Sequence, residues 1–549
     1  MNMESINLSF IDISILVIYI VLIIWWALRH GKSKDSTSYF LGGRNMTWPV
    51  VGLSLFAASV SSSTLMGHSG EGFISGIAVF NYNWISILVM VFFALFFLPF
   101  YIKSGIFTMP EFLERRFDGR SRTYFSFITI IGNVFLDAAA TLYTGALIIK
   151  MILPEADLMW IIVGMAIVAG SYTIIGGLSS AIYADVIQAV VLIVGSSILS
   201  VYALNSIGGW VEFYDMFNEG VWLKLTRPMS DPTVPWLGMI VGIPILGFYF
   251  WGNNQVMVQR VLSAKTVDHG RKGVLLVGFL YLFTLFIFII PGLIARGINL
   301  FGVENLPDEL ISGLELKDGF GINTDQVYPR LIIKLLPVGL IGIILAAMIS
   351  ALTSTLSATL SSVSTLFTMD FYSKFDKKAS SQKLVKVGQI TSLIVLIIAV
   401  IWAPFIAQFN SLVSYYQEIV SYLAPPVVGT FFLGLFWKRS NAQGAITGLF
   451  SGLFIAISIM FVKYILGIEI GLHFLIIAPI VLAISALVNV FVSMLTAFPD
   501  QDKVNANTWS RKIWIEESKE LEGVVWYKNF RVLSVILIVA CFVMYLLYF

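Results

Sequence analysis

Ten of the sixteen residues from Ser350 to Thr365 carry a hydroxyl: Ser350, Thr353, Ser354, Thr355, Ser357, Thr359, Ser361, Ser362, Ser364 and Thr365. The run lies in an apolar segment that begins near Leu335 and holds no charge before Asp370. Hydroxyl oxygens at helical spacing in an uncharged segment suit a small hard cation that sheds water on binding. Ala351, Ser354 and Thr355 stand at i, i+3 and i+4, on one helical face. Two hydroxyls and a carbonyl there, joined by the carbonyls of Ala57 and Val60 from a broken helix, make a five-oxygen shell. A neutral shell fits Na⁺ better than a divalent ion, which calls for carboxylates. Against this stands back-bonding, in which Ser and Thr hydroxyls donate to the carbonyl four residues earlier. Back-bonding readily explains one such residue; it explains ten in sixteen positions less well.

Three acids fall within apolar segments, where an ionised carboxylate is costly and a functional candidate by default. Asp185, in Ile182-Tyr183-Ala184-Asp185, is read equally well as an ion ligand or as a helix cap near the cytoplasmic surface. Asp137 follows Gly132-Asn133-Val134-Phe135-Leu136 in mid-segment, where no cap is needed. Glu418, beside Gln417, lies close to an expected helix break.

The elements that position these groups are membrane helices. The 549-residue chain is 58% hydrophobic and only 12% charged, half the charge of a soluble protein. Fourteen segments, from 9–28 to 532–549, are long enough to cross a bilayer core of about 30 Å. The first is read as a retained helix, because Glu4 rather than a basic stretch precedes it. With both termini outside, 26 of the 34 Lys and Arg residues, Arg260 among them, fall in loops on the cytoplasmic side. The second segment, 48–67, is interrupted by Ala57-Ala58-Ser59-Val60-Ser61-Ser62-Ser63-Thr64. The seventh, 236–258, is interrupted by Gly247-Phe248-Tyr249-Phe250-Trp251-Gly252-Asn253-Asn254-Gln255. They stand five segments apart in opposite orientation, the pattern that marks a transporter's midplane site.

A net charge of +2 gives no reason to expect nucleic acid as a partner; the expected partners are the bilayer and a small solute. No phosphate-loop motif is complete, since Gly31-Lys32-Ser33 lacks its first glycine. The four histidines are scattered and form no zinc pair. Cys541 has no cysteine to bridge. An enzyme reading is therefore poor, and Na⁺ is the one cofactor expected.

Several runs resemble, in order and at matching spacing, the sodium:solute symporter family, and within it the sodium–glucose cotransporters. They include Tyr39-Phe40-Leu41-Gly42-Gly43-Arg44, Gly105-Ile106-Phe107-Thr108-Met109-Pro110-Glu111-Phe112, Gly176-Gly177-Leu178-Ser179-Ser180-Ala181, Ser364-Thr365-Leu366-Phe367-Thr368-Met369-Asp370 and Tyr422-Leu423-Ala424-Pro425-Pro426. The resemblance implies an all-α LeuT-like fold, one transport domain over 1–549. Its inverted five-helix repeats span 48–205 and 236–437, with peripheral helices in 1–47 and 438–549. It implies multi-pass placement in the plasma (inner) membrane and alternating access. The family's common sodium site falls on Ala57, Val60, Ala351, Ser354 and Thr355. A second sodium site in some members falls on Asp185, Ser354 and Ser357, but its next hydroxyl falls on Ala358.

The resemblance places the solute among Thr64, Asn83, Ser86, Gly247, Phe250, Trp251, Tyr281 and Gln417. Ser86, Trp251 and Gln417 agree with the sugar carriers. Asn83 replaces an acid, Phe250 replaces a tyrosine gate, and Thr64, Gly247 and Tyr281 replace polar or cationic side chains. Asp137 adds a negative charge to this pocket, suited to solute hydroxyls or an amine. Na⁺-coupled symport of a sugar or polyol is the leading expectation. A symporter for an amino-bearing solute comes second, and a substrate sensor third.

Overall fold

The computed structural model describes residues 8–548 apart from 32–34, 153–154, 304–305, 307–315, 317–318, 409–411 and 469. Among the described residues the chain is helical throughout; the single β-type contact is an isolated bridge between Met46 and Ala264. The helices that position the site are α1 (Phe10–His30), α2 (Trp48–Ser59), α3 (Ser62–Ser75), α4 (Asn81–Phe92), α5 (Gly119–Gly132), α6 (Ala139–Ile152), α7 (Leu158–Ser206), α8 (Ile243–Phe248), α9 (Gln255–Leu262), α10 (Val267–Leu282), α11 (Leu340–Leu366), α12 (Leu412–Phe436), α13 (Ala442–Met460) and α14 (Phe530–Leu547).

Eleven helices among the described residues are long and apolar enough to cross a membrane. The pair Val267–Leu282 and Leu285–Gly297, bent by 42°, brings the number to twelve. The expected fourteen are not reproduced by this count, for a local reason. The stretches Ser62–Ser104 and Leu158–Ser206 each run on as one helical segment of 43 and 49 residues. Both turn at a glycine: Gly76 has φ 65° and ψ −141°, and Gly177 has φ 60° and ψ −149°. A Cβ at Gly177 would stand 2.4 Å from the Tyr39 carbonyl oxygen, and one at Gly76 2.3 Å from that of Trp222. Positive φ and close backbone approach both require glycine there.

Both expected interruptions are present, and each is built the same way. Helix α2 ends at Val60, which is extended (φ −105°, ψ 92°). Ser61 then caps α3, its hydroxyl accepting from the Thr64 N–H at 3.0 Å. Helix α8 passes into a π-helical turn, Tyr249–Asn253, and ends at Asn254, which is extended (φ −68°, ψ 124°). The Asn254 side chain caps α9 by accepting from the Val256 N–H at 2.8 Å. In both places a short polar side chain offers the backbone a partner other than helix continuation.

Helix α11 is the central post. Nearly every residue from Ile341 to Leu366 is buried. Its N-terminal end is fixed by Asp12 of α1, whose Oδ1 accepts from the Gly339 and Gly342 N–H groups at 2.8 Å each.

Candidate functional site

The ten hydroxyls of α11 divide by partner. Ser350, Thr353, Thr359 and Thr365 donate to the carbonyls of Ala346, Ile349, Thr355 and Ser361 at 2.7–3.0 Å, the back-bonding pattern. Others reach different elements. The Thr355 hydroxyl lies 3.4 Å from the Ala58 carbonyl oxygen, at the end of α2. Ser354 donates to Asp185 Oδ1 at 2.6 Å. Ser357 is joined to the Thr173 hydroxyl at 2.7 Å, and Ser364 donates to the Gly388 carbonyl at 2.8 Å.

The broken end of α2 and the hydroxyl face of α11 thus meet. Ala57, Val60, Ala351 and Ser354 are buried and Thr355 is half-buried. An unwound helix end leaves carbonyls without intrahelical donors. The Ser354 hydrogen is committed to Asp185, which leaves its lone pairs available. The donor set is oxygen-only and short-armed, the kind Na⁺ takes.

Asp185 is not a cap. It lies in α7, fully buried, and its Oδ2 accepts from Arg260 Nη2 at 2.9 Å, Arg260 Nε at 3.1 Å and the Ser54 hydroxyl at 2.6 Å. Arg260, counted from sequence among the cytoplasmic loop charges, instead sits inside α9 with no exposed surface. Its guanidinium supplies the cation that a buried carboxylate needs. With Ser357 joined to Thr173 and Asp185 paired with Arg260, two of the three groups expected at a second ion position are already engaged.

A cavity of about 220 Å³ opens beside the α2–α3 break. All nine residues expected at the solute site line it: Thr64, Asn83, Ser86, Asp137, Gly247, Phe250, Trp251, Tyr281 and Gln417. Thr355 lines it too, so the junction described above forms part of its wall. Helices α3, α4 and α12 supply Thr64, His68, Asn83, Ser86 and Gln417, and the π-helical turn Asn133–Ala138 between α5 and α6 aims Asp137 inward. Such turns shift side-chain register by one position and are common at functional sites. Trp251 meets Phe250 and Tyr281 edge-on, with ring centroids 5.2 and 5.3 Å apart.

Sequence reading missed several lining groups. His68 joins the Thr64 carbonyl and Asn83 Oδ1 through its two ring nitrogens, at 2.9 Å each. Asn83 continues the chain to the Thr284 hydroxyl at 2.6 Å. The signal was available: His68 stands four residues after Thr64, on the same helical face. Tyr249 and Tyr416 also line the cavity, and Tyr416 faces Asp137. The Asn133 amide, turned as its neighbours require, donates to Asp137 Oδ2 at 3.1 Å and accepts from the Ser362 hydroxyl at 2.9 Å. Glu418 points away from the cavity, to Lys463 at 2.5 Å and the Tyr422 hydroxyl at 2.6 Å.

The fold and sequence match known transporters. The chain is 35% identical over 552 residues to the mouse (Mus musculus) sodium/glucose cotransporter 1, covering 93% of this chain and 82% of that one. It is 32% identical to the mouse sodium/myo-inositol cotransporter, covering 91% and 76%. Its fold matches that of a Na⁺-coupled sialic acid symporter solved in a substrate-bound, outward-open state. The TM-score is 0.78 at 23% identity, over 90% of this chain and 99% of that one. These relatives are transporters, not enzymes. Residues 39–452 match the family model of sodium:solute symporters, and the chain belongs to that family, a multi-pass membrane protein that uses Na⁺ as its coupling ion.

Proposed function

We propose that the protein moves a sugar or polyol across the membrane together with one Na⁺, by alternating access. The observation that carries this reading is Thr355, which touches the Ala58 carbonyl of the broken helix and also lines the cavity. An ion held by Ala57, Val60, Ala351, Ser354 and Thr355 ties α11 to the α2–α3 break. Its oxygens part when the two elements tilt, so the ion favours the conformation in which they meet. Differential binding of that kind is what coupling requires.

The nine expected residues, gathered in one cavity, support a solute of sugar or polyol size. One stretch of chain, 48–205, and a second, 236–437, would act as inverted repeats. Fourteen crossings, with Ser62–Ser104 and Leu158–Ser206 each divided at its positive-φ glycine, would leave both termini outside. A single ion is favoured because Asp185 is already matched by Arg260 and Ala358 offers no hydroxyl. One Na⁺ crossing 100 mV gains about 2.3 kcal/mol. A tenfold gradient adds about 1.4 kcal/mol, so one ion can concentrate a neutral solute roughly several-hundredfold.

Uptake of radiolabelled glucose and myo-inositol into proteoliposomes, with and without an inward Na⁺ gradient, tests the reading. Accumulation above equilibrium only with the gradient is expected. Binding without accumulation would point to a sensor instead.

A further inference from the structure

A neutral sugar has no need of the charge this cavity carries. Asp137 is half-buried and opens onto the cavity. A carboxylate inside a membrane segment calls for a cation. Three other acids packed between helices have one within the protein: Asp185 has Arg260 at 2.9 Å, Asp370 has Arg122 at 2.6 Å, and Glu418 has Lys463 at 2.5 Å. No Lys or Arg lines the cavity among the described residues. His68, the one basic ring there, is turned to the Thr64 carbonyl and Asn83 and not to Asp137. Asp137 receives the Asn133 amide and faces Tyr416, both neutral donors. Neutral donors steady a carboxylate without discharging it.

The aromatic wall points the same way. Tyr249, Phe250, Trp251 and Tyr281 line the cavity. Their ring faces attract a cation while accepting the apolar faces of a sugar ring.

Resting on the reading of this cavity as the solute site, we infer that the preferred solute is a sugar or polyol bearing a protonated primary amine. Its ammonium donates to Asp137 and its hydroxyls meet Asn83, Ser86 and Gln417. The solute brings the missing counter-charge with it.

The test uses the full chain in proteoliposomes under a Na⁺ gradient, with glucosamine, N-acetylglucosamine, glucose and myo-inositol as probes. Glucosamine is expected to reach half-saturation at about tenfold lower concentration than glucose, the value of one charge-assisted hydrogen bond. It should also carry one more positive charge per molecule moved. N-acetylglucosamine, which keeps the ring and loses the charge, should show neither property. Asp137→Asn should bring the glucosamine-to-glucose preference to about one, and Asp137→Glu should keep part of it. Equal affinities, with equal charge moved per glucosamine and per glucose, overturn the inference while leaving sugar symport intact. If no member of the panel accumulates under the gradient, the sugar or polyol reading fails and the amine falls with it. Should Asp137→Asn not fold, the charge-to-flux ratio of the unaltered protein still decides.

Discussion

The interior around Asp185 and the cavity around Asp137 each hold one carboxylate among the same bundle of helices, yet they differ in every respect that governs its behaviour. Asp185 is fully buried, its oxygens saturated by Arg260, Ser54 and Ser354. It is a finished piece of structure, and it orients the Ser354 hydroxyl. Asp137 borders open space and meets only neutral donors. One region has its electrostatics completed by the fold; the other leaves a charge for something outside the chain. A buried ionic group by itself does not mark a binding site; an unmatched one beside a cavity does.

This contrast breaks most visibly at the ion junction. Thr355→Ala or Ser354→Ala should abolish Na⁺-dependent uptake while leaving membrane insertion intact. Uptake that persists in both variants would remove the ion from this junction. Next in size is Arg260→Ala, which strands a buried carboxylate. It should lower unfolding stability in detergent by about 3–5 kcal/mol, with Asp185→Asn/Arg260→Gln recovering part of that loss. Stability equal to the unaltered protein would show that Asp185 is not matched within the fold.

Smaller effects sharpen the difference. Asn133→Ala removes the amide donor from Asp137 and should weaken solute half-saturation by about 1 kcal/mol, roughly fivefold, without moving the Na⁺ dependence of uptake. An altered Na⁺ dependence would join the two regions into one site. Smallest is Ser357→Ala. It forfeits the contact with Thr173, about 0.5–1.5 kcal/mol of stability, and should leave the Hill coefficient for Na⁺ at about one. A Hill coefficient near two in the unaltered protein, falling in this variant, would restore a second ion beside Asp185.

Sequence alone determined much of this molecule, because the controlling patterns are local. Long apolar runs write membrane helices. Ser61 and Asn254 write the two breaks, since a short side chain caps a helix start wherever the chain runs. The crowding of hydroxyls in α11 marked a candidate ion helix, and the family resemblance named nine candidate solute residues, all of which line one cavity. What remained was decided by which element arrives opposite which, over separations of tens to hundreds of residues. Ser354 and Thr359 are five positions apart and look alike in sequence. One donates across to Asp185, the other back to its own helix, because α7 passes only the first. Arg260 reads as a loop charge until α7 and α2 enclose it. Asp137 and Asp185 both read as intramembrane acids, Asp185 alone with a helix cap as its alternative. Only tertiary packing gave one a guanidinium and left the other facing a cavity, because a side chain's partner is set by the neighbour that folding delivers rather than by its own residue type.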